Sequence, residues 1–276
     1  MKLSLARFAI VASLFGAAAL AAVAEEAAPP KALGIGDTLP PFEAKDVDGV
    51  AFSLATARTI SEADATASVA AAAKSFGAPD AKAATAIDAL PGVAKDGKPD
   101  PARRAAFVQA AWKSWGLVAT PATTKDLVTL GDVAKKIVAS ADAPIVLFAW
   151  SSGCPTCTLY YDRFLEIFST SGARVFPFAA NHDDPIESIR GTIVARDLPY
   201  RILLDPEAKL ADALGARTTP HTFVIDGKNV LRYSGSPDSD PALDGDEAKR
   251  ISYLKDALAA VSSGRQVEIR VTLPKG

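Results

Sequence analysis

Cys154 and Cys157 are the only cysteines in the 276-residue chain, and they have C-x-x-C spacing. The apolar run at residues 145–150 has the length and composition of a buried strand, and Ser-Ser-Gly ends it before the first cysteine. Residues 158–169 then carry apolar side chains at nearly helical spacing. The pair therefore lies at a junction between a strand and a helix, and two thiols this close together are suited to redox chemistry.

The two cysteines are predicted to have different roles. Pro155 suits the first position of the helix, because the N–H that proline lacks has no helical partner there. A thiolate at Cys154 would face the positive end of the helix dipole and the amides of Thr156 and Cys157, which lowers its pKa. We predict that Cys154 is the entering nucleophile. Cys157, one turn further on, is then the resolving thiol.

A structural disulfide and a metal site are the alternatives for this pair. A disulfide that closes so short a loop stabilises a fold by only about 2 kcal/mol, against about 5 kcal/mol for a 100-residue loop. His182 and His221 are the only histidines and could complete a zinc or copper site with the cysteines, His221 being a weak candidate. The redox reading requires no organic cofactor, and we predict none.

The start of the chain predicts export. Residues 1–24 combine a basic beginning, an apolar centre and the cleavage pattern A-V-A at positions 22–24, which is typical of a signal peptide. Residues 25–32 follow as a linker, and an uncleaved segment 8–24 would instead anchor the chain in a membrane. We expect a periplasmic or secreted protein, in a compartment where disulfides persist. The formal net charge of −2 does not fit a nucleic-acid-binding protein.

Residues 33–276 are predicted to form one α/β domain with a helical insertion at about 55–126. The apolar periodicity and the turn residues place the elements along the chain. They are a hairpin at 42–47 and 50–54, insertion helices at 62–76 and 101–115, a helix around 130–138, strands at 173–180 and 200–204, helices at 185–196 and 207–214, a hairpin at 221–225 and 229–233, a helix at 247–261 and an edge strand at 267–271.

Several of these motifs resemble the thioredoxin-like superfamily. The C-x-x-C at the strand–helix junction, with Thr219-Pro220 opening the later hairpin, carries this resemblance. G-D-T-L-P-P-F near the start and T-P-H-T-F-V-I-D-G-K at the hairpin are similar to the redoxin branch, which is related to the peroxiredoxins. The resemblance covers residues 33–54 and 143–262. It implies a central mixed sheet flanked by helices, with an N-terminal hairpin.

The resemblance also assigns residues around the cysteines. It implies that Pro220 is cis and that Thr219 and Pro220 line a substrate groove beside Cys154. Trp150 is similar to the aromatic residue that precedes the active site in thioredoxins, where it could shield the disulfide; a core tryptophan at the end of a strand is the alternative. Thioredoxins carry a buried aspartate at the position of Phe148, so this chain lacks that acid.

We predict an exported thiol–disulfide oxidoreductase that acts on protein or small-molecule thiols and depends on an upstream redox partner. A thiol peroxidase with a peroxidatic Cys154 is one alternative, in which Ser151 could bind peroxide and Arg217 could supply positive charge. The chain departs from the peroxiredoxin motif, with Leu147 in place of proline and Ser151 in place of threonine. A copper- or zinc-binding redoxin-like module is the other alternative.

Overall fold

The computed structural model describes residues 31–275. The predicted signal peptide lies outside the described residues, as does nearly all of the predicted linker. Within residues 31–275, no helix is long and apolar enough to cross a membrane.

The described residues form a mixed seven-stranded sheet and a separate two-stranded ribbon. The large sheet has the order β2-β1-β7-β6-β5-β8-β9, in which β5, β6 and β7 are parallel and the other neighbours are antiparallel. Strands β3 and β4 form the ribbon. The strands are β1 (Glu43–Asp46), β2 (Ala51–Ser53), β3 (Ala94–Lys95), β4 (Lys98–Pro99), β5 (Ile145–Ala149), β6 (Arg174–Ala179), β7 (Leu203–Leu204), β8 (His221–Ile225) and β9 (Leu231–Gly235).

Helices cover both faces of this sheet. Short 3-10 turns at Ile87–Ala89, Lys113–Trp115 and Glu247–Lys249 supplement the α-helices. The α-helices are α1 (Leu54–Arg58), α2 (Glu62–Ser75), α3 (Pro101–Trp112), α4 (Pro121–Thr124), α5 (Leu130–Ala139), α6 (Pro155–Leu159), α7 (Tyr161–Ser171), α8 (Ile186–Ala195), α9 (Lys209–Leu214) and α10 (Tyr253–Ser262).

Strand β5 is buried along its whole length and separates two hydrophobic cores. Its alternation sends Val146 and Phe148 to one face, where they pack with α7 and α10. Ile145, Leu147 and Ala149 face the other side, where the N-terminal hairpin and α9 cover them. The turn that follows β5 places Cys154 at the carboxyl-terminal end of this interior strand.

Residues 55–126 contain helices at the two predicted positions, α2 and α3. Ser61 caps α2 by accepting a hydrogen bond from the Asp64 amide at 3.1 Å, and Asp100 caps α3. Helices α2, α3 and α5 bury a third hydrophobic core, to which Val69, Phe107 and Val133 belong. The helices of this segment therefore share a core with α5, beside the sheet.

Most of the predicted elements are confirmed, including the hairpin at the Asp48-Gly49 turn, the strand before the cysteines and the helix that starts at Glu62. Strand β7 is shorter than predicted. On one side β1 ends at Asp46, which pairs with Leu203, and on the other side β6 pairs only with Leu203 and Leu204, through Phe178 and Ala179.

The C-terminal elements differ from the prediction in three places. Strand β9 begins at Leu231 rather than at position 229, because Asn229 has a positive φ of 63° in the turn. The last helix begins at Tyr253 rather than at position 247, and Ile251 lies before it and is 45% exposed. The predicted edge strand near the end of the chain is reduced to a single bridge from Val271 to Ser234.

Replacing Ser61 by alanine is expected to lower the free energy of unfolding by about 1 kcal/mol, since the amide at the start of α2 loses its acceptor. Denaturant unfolding of the two proteins measures this difference. Thr66→Ala, which removes a hydroxyl from an exposed interior position of the same helix, is the control. Because alanine is the better helix former there, the control should not destabilise the protein.

Candidate active site

Cys154 is the N-cap residue of α6, directly after the turn that ends β5. Its backbone N–H donates to the Ser151 carbonyl oxygen at 3.2 Å, and its side chain is half-buried. Cys157, one turn into the helix, is completely buried. Both thiols are free in this structure. One sulfur is therefore accessible, and the other lies behind it in the core.

The surroundings of Cys154 favour the thiolate. They lower the pKa of this thiol to about 6, chiefly because the Cys157 thiol donates a hydrogen bond to its sulfur. The Cys157 amide, 3.1 Å from Sγ, and the Thr156 amide contribute further, while partial burial opposes the shift. At pH 7 a thiol with this pKa is about nine-tenths ionised, and the thiolate is the reactive form.

Cys157 has the opposite electrostatics. Its hydrogen bond to Cys154, its burial and the negative charge of the neighbouring thiolate all raise the pKa of Cys157 far above the usual value. Cys157 therefore keeps its proton while Cys154 is a thiolate. Of the two sulfurs, only that of Cys154 is both accessible and favoured as a thiolate.

The loop before β8 brings Thr219 and Pro220 beside the cysteines. The Thr219–Pro220 peptide is cis, which confirms the sequence prediction. The Thr219 carbonyl oxygen lies 3.1 Å from Cys154 Sγ and accepts a hydrogen bond when that thiol is protonated. This contact follows from the sheet, because β8 pairs with β5 and places His221 opposite Ala149.

Side-chain hydrogen bonds fix the turn between β5 and α6. Of the residues involved, only Ser151 is predicted from the sequence. Ser151 is buried, and its hydroxyl accepts a 3.4 Å hydrogen bond from the Gly153 amide. Ser152 is fixed by Asp184, which accepts from its amide at 2.7 Å and from its hydroxyl. Asp184 was not among the predicted site residues, because it lies 32 positions away in a loop and no motif connects the two.

Trp150 and Arg217 are the remaining predicted residues of the site. Trp150 is only 2% exposed and belongs to the same core cluster as Cys157, so its burial favours the core alternative over direct contact with substrate. Arg217 is exposed and is not among the groups that lower the pKa of Cys154. Trp150 remains a candidate shield for the buried sulfur.

The histidines are not brought together with the cysteines. His221 alternates with Thr222 along β8 and stacks on Phe223, which belongs to the core on the opposite face of the sheet from Cys157. His182 is exposed in a loop. In the described part of the chain, no group of three or more histidine, cysteine or acidic side chains has an arrangement that could hold a metal ion.

The rate of alkylation of Cys154 by iodoacetamide is expected to rise with pH around a midpoint near 6, since ionisation of this thiol produces the nucleophile. Mass spectrometry of the reduced protein assigns the modified cysteine. In Cys157→Ala the midpoint should move upward, because the main hydrogen-bond donor to the thiolate is gone. The same midpoint in both proteins, near the usual value of about 8.5, would contradict this account.

Comparison with curated proteins finds similarity to thiol:disulfide interchange proteins DsbE. The chain is 31% identical over 117 residues to DsbE of Escherichia coli (strain K12), a match that covers 41% of this chain and 62% of that protein. It is 31% identical over 93 residues to DsbE of Haemophilus influenzae, covering 33% and 49% respectively. The matches thus span less than two thirds of the length of these relatives.

The fold resembles that of solved structures over most of the chain. A hypothetical protein, SMc02350 from Sinorhizobium meliloti 1021, superposes with a TM-score of 0.50 at 16% identity and covers 88% of this chain and 93% of its own. The mixed sheet with flanking helices is thioredoxin-like, as the sequence resemblance implied. The Redoxin family model matches residues 104–251, so the match begins inside the segment that we predicted as an insertion. Because this match covers more than half of the chain, the protein belongs to the Redoxin family.

Proposed function

We propose that the protein is an exported thiol–disulfide oxidoreductase that works through Cys154 and Cys157. One observation carries the proposal: the half-buried Cys154 sulfur accepts a hydrogen bond from the Cys157 amide at 3.1 Å, and the side chain of Cys157 is completely buried one turn into the same helix. These surroundings lower the pKa of Cys154 and raise that of Cys157. A purely structural disulfide would not need this asymmetry. The similarity to proteins named thiol:disulfide interchange protein supports the same chemistry.

The reaction proceeds in two exchanges. The Cys154 thiolate attacks one sulfur of a substrate disulfide and forms a mixed disulfide, and the other substrate sulfur leaves as a thiolate that takes up a proton. Cys157 then loses its proton and attacks Cys154 Sγ, which forms the Cys154–Cys157 disulfide and releases the second substrate thiol. A reduced dithiol partner returns the pair to the starting state. Oxidation of a substrate dithiol is the same sequence in reverse.

The substrate groove in this proposal runs past Thr219 and Pro220, where the backbone lies against Cys154 Sγ. Its substrates are protein or small-molecule thiols and disulfides. Residues 1–24 direct export, residues 25–32 link them to the domain, and about 55–126 is an insertion in that domain. Trp150 shields the buried sulfur, and Ser151 holds the turn that presents Cys154.

Insulin-disulfide reduction by the purified protein tests the proposal. The wild-type chain should catalyse it with dithiothreitol as the reductant, and Cys154→Ser should fall to the rate of the reagent alone. Consumption of hydroperoxide and titration with copper are measured on the same two preparations. Hydroperoxide turnover that depends on Cys154, without insulin reduction, would replace the proposal with a peroxidase. Copper binding that depends on Cys154, without either activity, would replace it with a metal-binding module.

A further inference from the structure

A second site lies on the face of the sheet opposite the buried Cys157. It is a cavity of about 1070 Å³ between the N-terminal hairpin, β7 and α9. Phe42, Phe52 and Leu210 supply apolar wall, and Trp115 and Arg174 close one end. Neither cysteine and neither residue of the Thr219–Pro220 peptide lines this cavity. It is therefore separate from the candidate active site.

Arg174 is the unusual residue of this wall. It is the first residue of β6 and is completely buried. Its Nε donates to the Trp115 carbonyl oxygen at 2.7 Å and its Nη1 donates to the Ala57 carbonyl oxygen. Between residues 31 and 275, Nη2 makes no hydrogen bond and no carboxylate forms an ion pair with this guanidinium. The cavity thus contains a buried positive charge that the described part of the chain does not neutralise.

Arg201 also lines the cavity, and its positive charge is neutralised within the protein. Its Nε pairs with Asp46 at 2.8 Å, and its Nη2 donates to the carbonyl oxygens of Val50 and Ala51. Taking a charge out of water is costly unless a counter-charge and hydrogen bonds replace the water. Arg201 has both a counter-charge and hydrogen bonds within the protein. Arg174 has hydrogen bonds but no counter-charge among residues 31–275.

The charges around Arg174 make the surroundings positive. Burial, and secondarily the neighbouring guanidinium of Arg58, lower the pKa of Arg174 to about 9. Three acids line the cavity wall: Glu207 pairs with Lys209 at 2.6 Å, Asp205 accepts from two amides at the start of α9, and Glu43 is exposed on β1. An anion is therefore the electrostatic complement of this end of the cavity.

The rest of the cavity wall is largely apolar, so an anion that fits this cavity carries an apolar chain. Phe42 and Phe52 lie with their ring centroids 5.4 Å apart, and Phe52 packs on Phe176 at 4.7 Å. Ligand pockets are commonly apolar with a few polar groups that fix orientation, and they have volumes of about 300–1,000 Å³. A planar guanidinium matches the geometry of a carboxylate, which can accept two parallel hydrogen bonds from it.

We propose that this cavity binds an apolar monocarboxylate of the fatty-acid class, with its carboxylate on Arg174 and its chain along Phe42 and Phe52. Decanoate is the probe, and decanol is the matched ligand without charge. Calorimetry should show one decanoate per chain, and the fluorescence of Trp115 at the wall should change on saturation. Decanol should bind at least about tenfold more weakly, because it lacks a charge-assisted hydrogen bond.

Three variants test where the ligand binds. Arg174→Gln should bind decanoate no better than decanol, whereas Lys45→Gln removes an exposed cation from the same wall and should leave decanoate binding within about twofold of wild type. Ala213→Phe places a bulky side chain in the cavity and leaves the arginine unchanged, so it decides the question if Arg174→Gln does not fold. In Ala213→Phe, binding of both ligands should be lost.

Three results would overturn the proposal. They are no saturable binding of decanoate to the wild-type chain, equal affinity for decanoate and decanol, and decanoate binding that survives Ala213→Phe. The first of these is also the result expected if another part of the chain fills the cavity. Cys154→Ser should bind decanoate as wild type does, so failure of this proposal and failure of the redox function are separate observations.

Discussion

Replacing Cys157 by serine is expected to stop catalytic turnover while Cys154 still reacts with substrate. In the proposed reaction the buried Cys157 sulfur attacks the mixed disulfide, and a serine hydroxyl at that position cannot form a disulfide. We expect insulin reduction to fall by at least about 100-fold. Covalent Cys154–substrate complexes should accumulate, because the half-buried Cys154 sulfur remains accessible.

Non-reducing electrophoresis and mass spectrometry of the trapped complexes measure this result in the native compartment. They also identify the substrate, which the site geometry does not name. The double variant Cys154→Ser, Cys157→Ser is the control and should trap nothing. If Cys157→Ser turned over at the wild-type rate, the buried cysteine would have no resolving role. If complexes formed equally in the double variant, the trapped bond would not involve Cys154.

The sequence was most informative where one local pattern determines one local structure. The apolar run before Ser151, the proline after Cys154 and the serine before Glu62 each specified an element and its boundary, and all three are observed. The cis geometry of Pro220 required the family resemblance, because cis is the minority form even before proline. The roles of the two cysteines followed from helix-start chemistry and agree with their burial and pKa values.

What sequence reasoning missed depends on contacts between distant residues. Asp184 meets Ser152 only because the loop after β6 reaches the turn after β5. Arg174 is one polar residue inside an otherwise apolar predicted strand, and its burial appears only in the structure, where the carbonyl oxygens of Ala57 and Trp115 accept its hydrogen bonds. The helix predicted from position 247 failed because local periodicity does not report that Asp246 caps a short 3-10 turn there.

Phe148→Asp, which introduces the acid that thioredoxins carry at this position, is expected to destabilise the protein strongly. Phe148 is 1% exposed, and its ring packs on Phe164 at 4.8 Å, Phe168 at 6.0 Å and Tyr200 at 6.1 Å. Truncation of a buried phenylalanine to alanine costs about 3–5 kcal/mol. A carboxylate adds its desolvation penalty to this loss, and one hydrogen bond from the buried Tyr200 hydroxyl would not replace its hydration.

The pH dependence of the free energy of unfolding separates the effect of the buried carboxylate from the effect of losing the phenylalanine ring. Burial raises the pKa of the introduced carboxyl above the unfolded value of about 3.9, so the folded state holds this proton more tightly than the unfolded state does. The free energy of unfolding of Phe148→Asp should therefore fall relative to Phe148→Leu as pH rises from 4 towards 7. The slope is at most about 1.4 kcal/mol per pH unit, and it ends above the folded pKa.

Denaturant unfolding of the two variants at pH 4, 5, 6 and 7 measures this difference, and Phe148→Leu cancels the pH dependence of the rest of the chain. Equal stability of both variants at pH 7 would mean that water or a cation reaches the interface between β5 and α7. That outcome would leave room for an acid beside Cys157. The expected outcome instead explains why this chain has none: the aromatic packing that holds α7 against β5 occupies the place of the acid. The hydrogen bond to Cys154 and the negative charge of the Cys154 thiolate are two of the causes that raise the pKa of Cys157. In the proposed reaction that charge is lost when the mixed disulfide forms, and deprotonation of Cys157 depends on this loss.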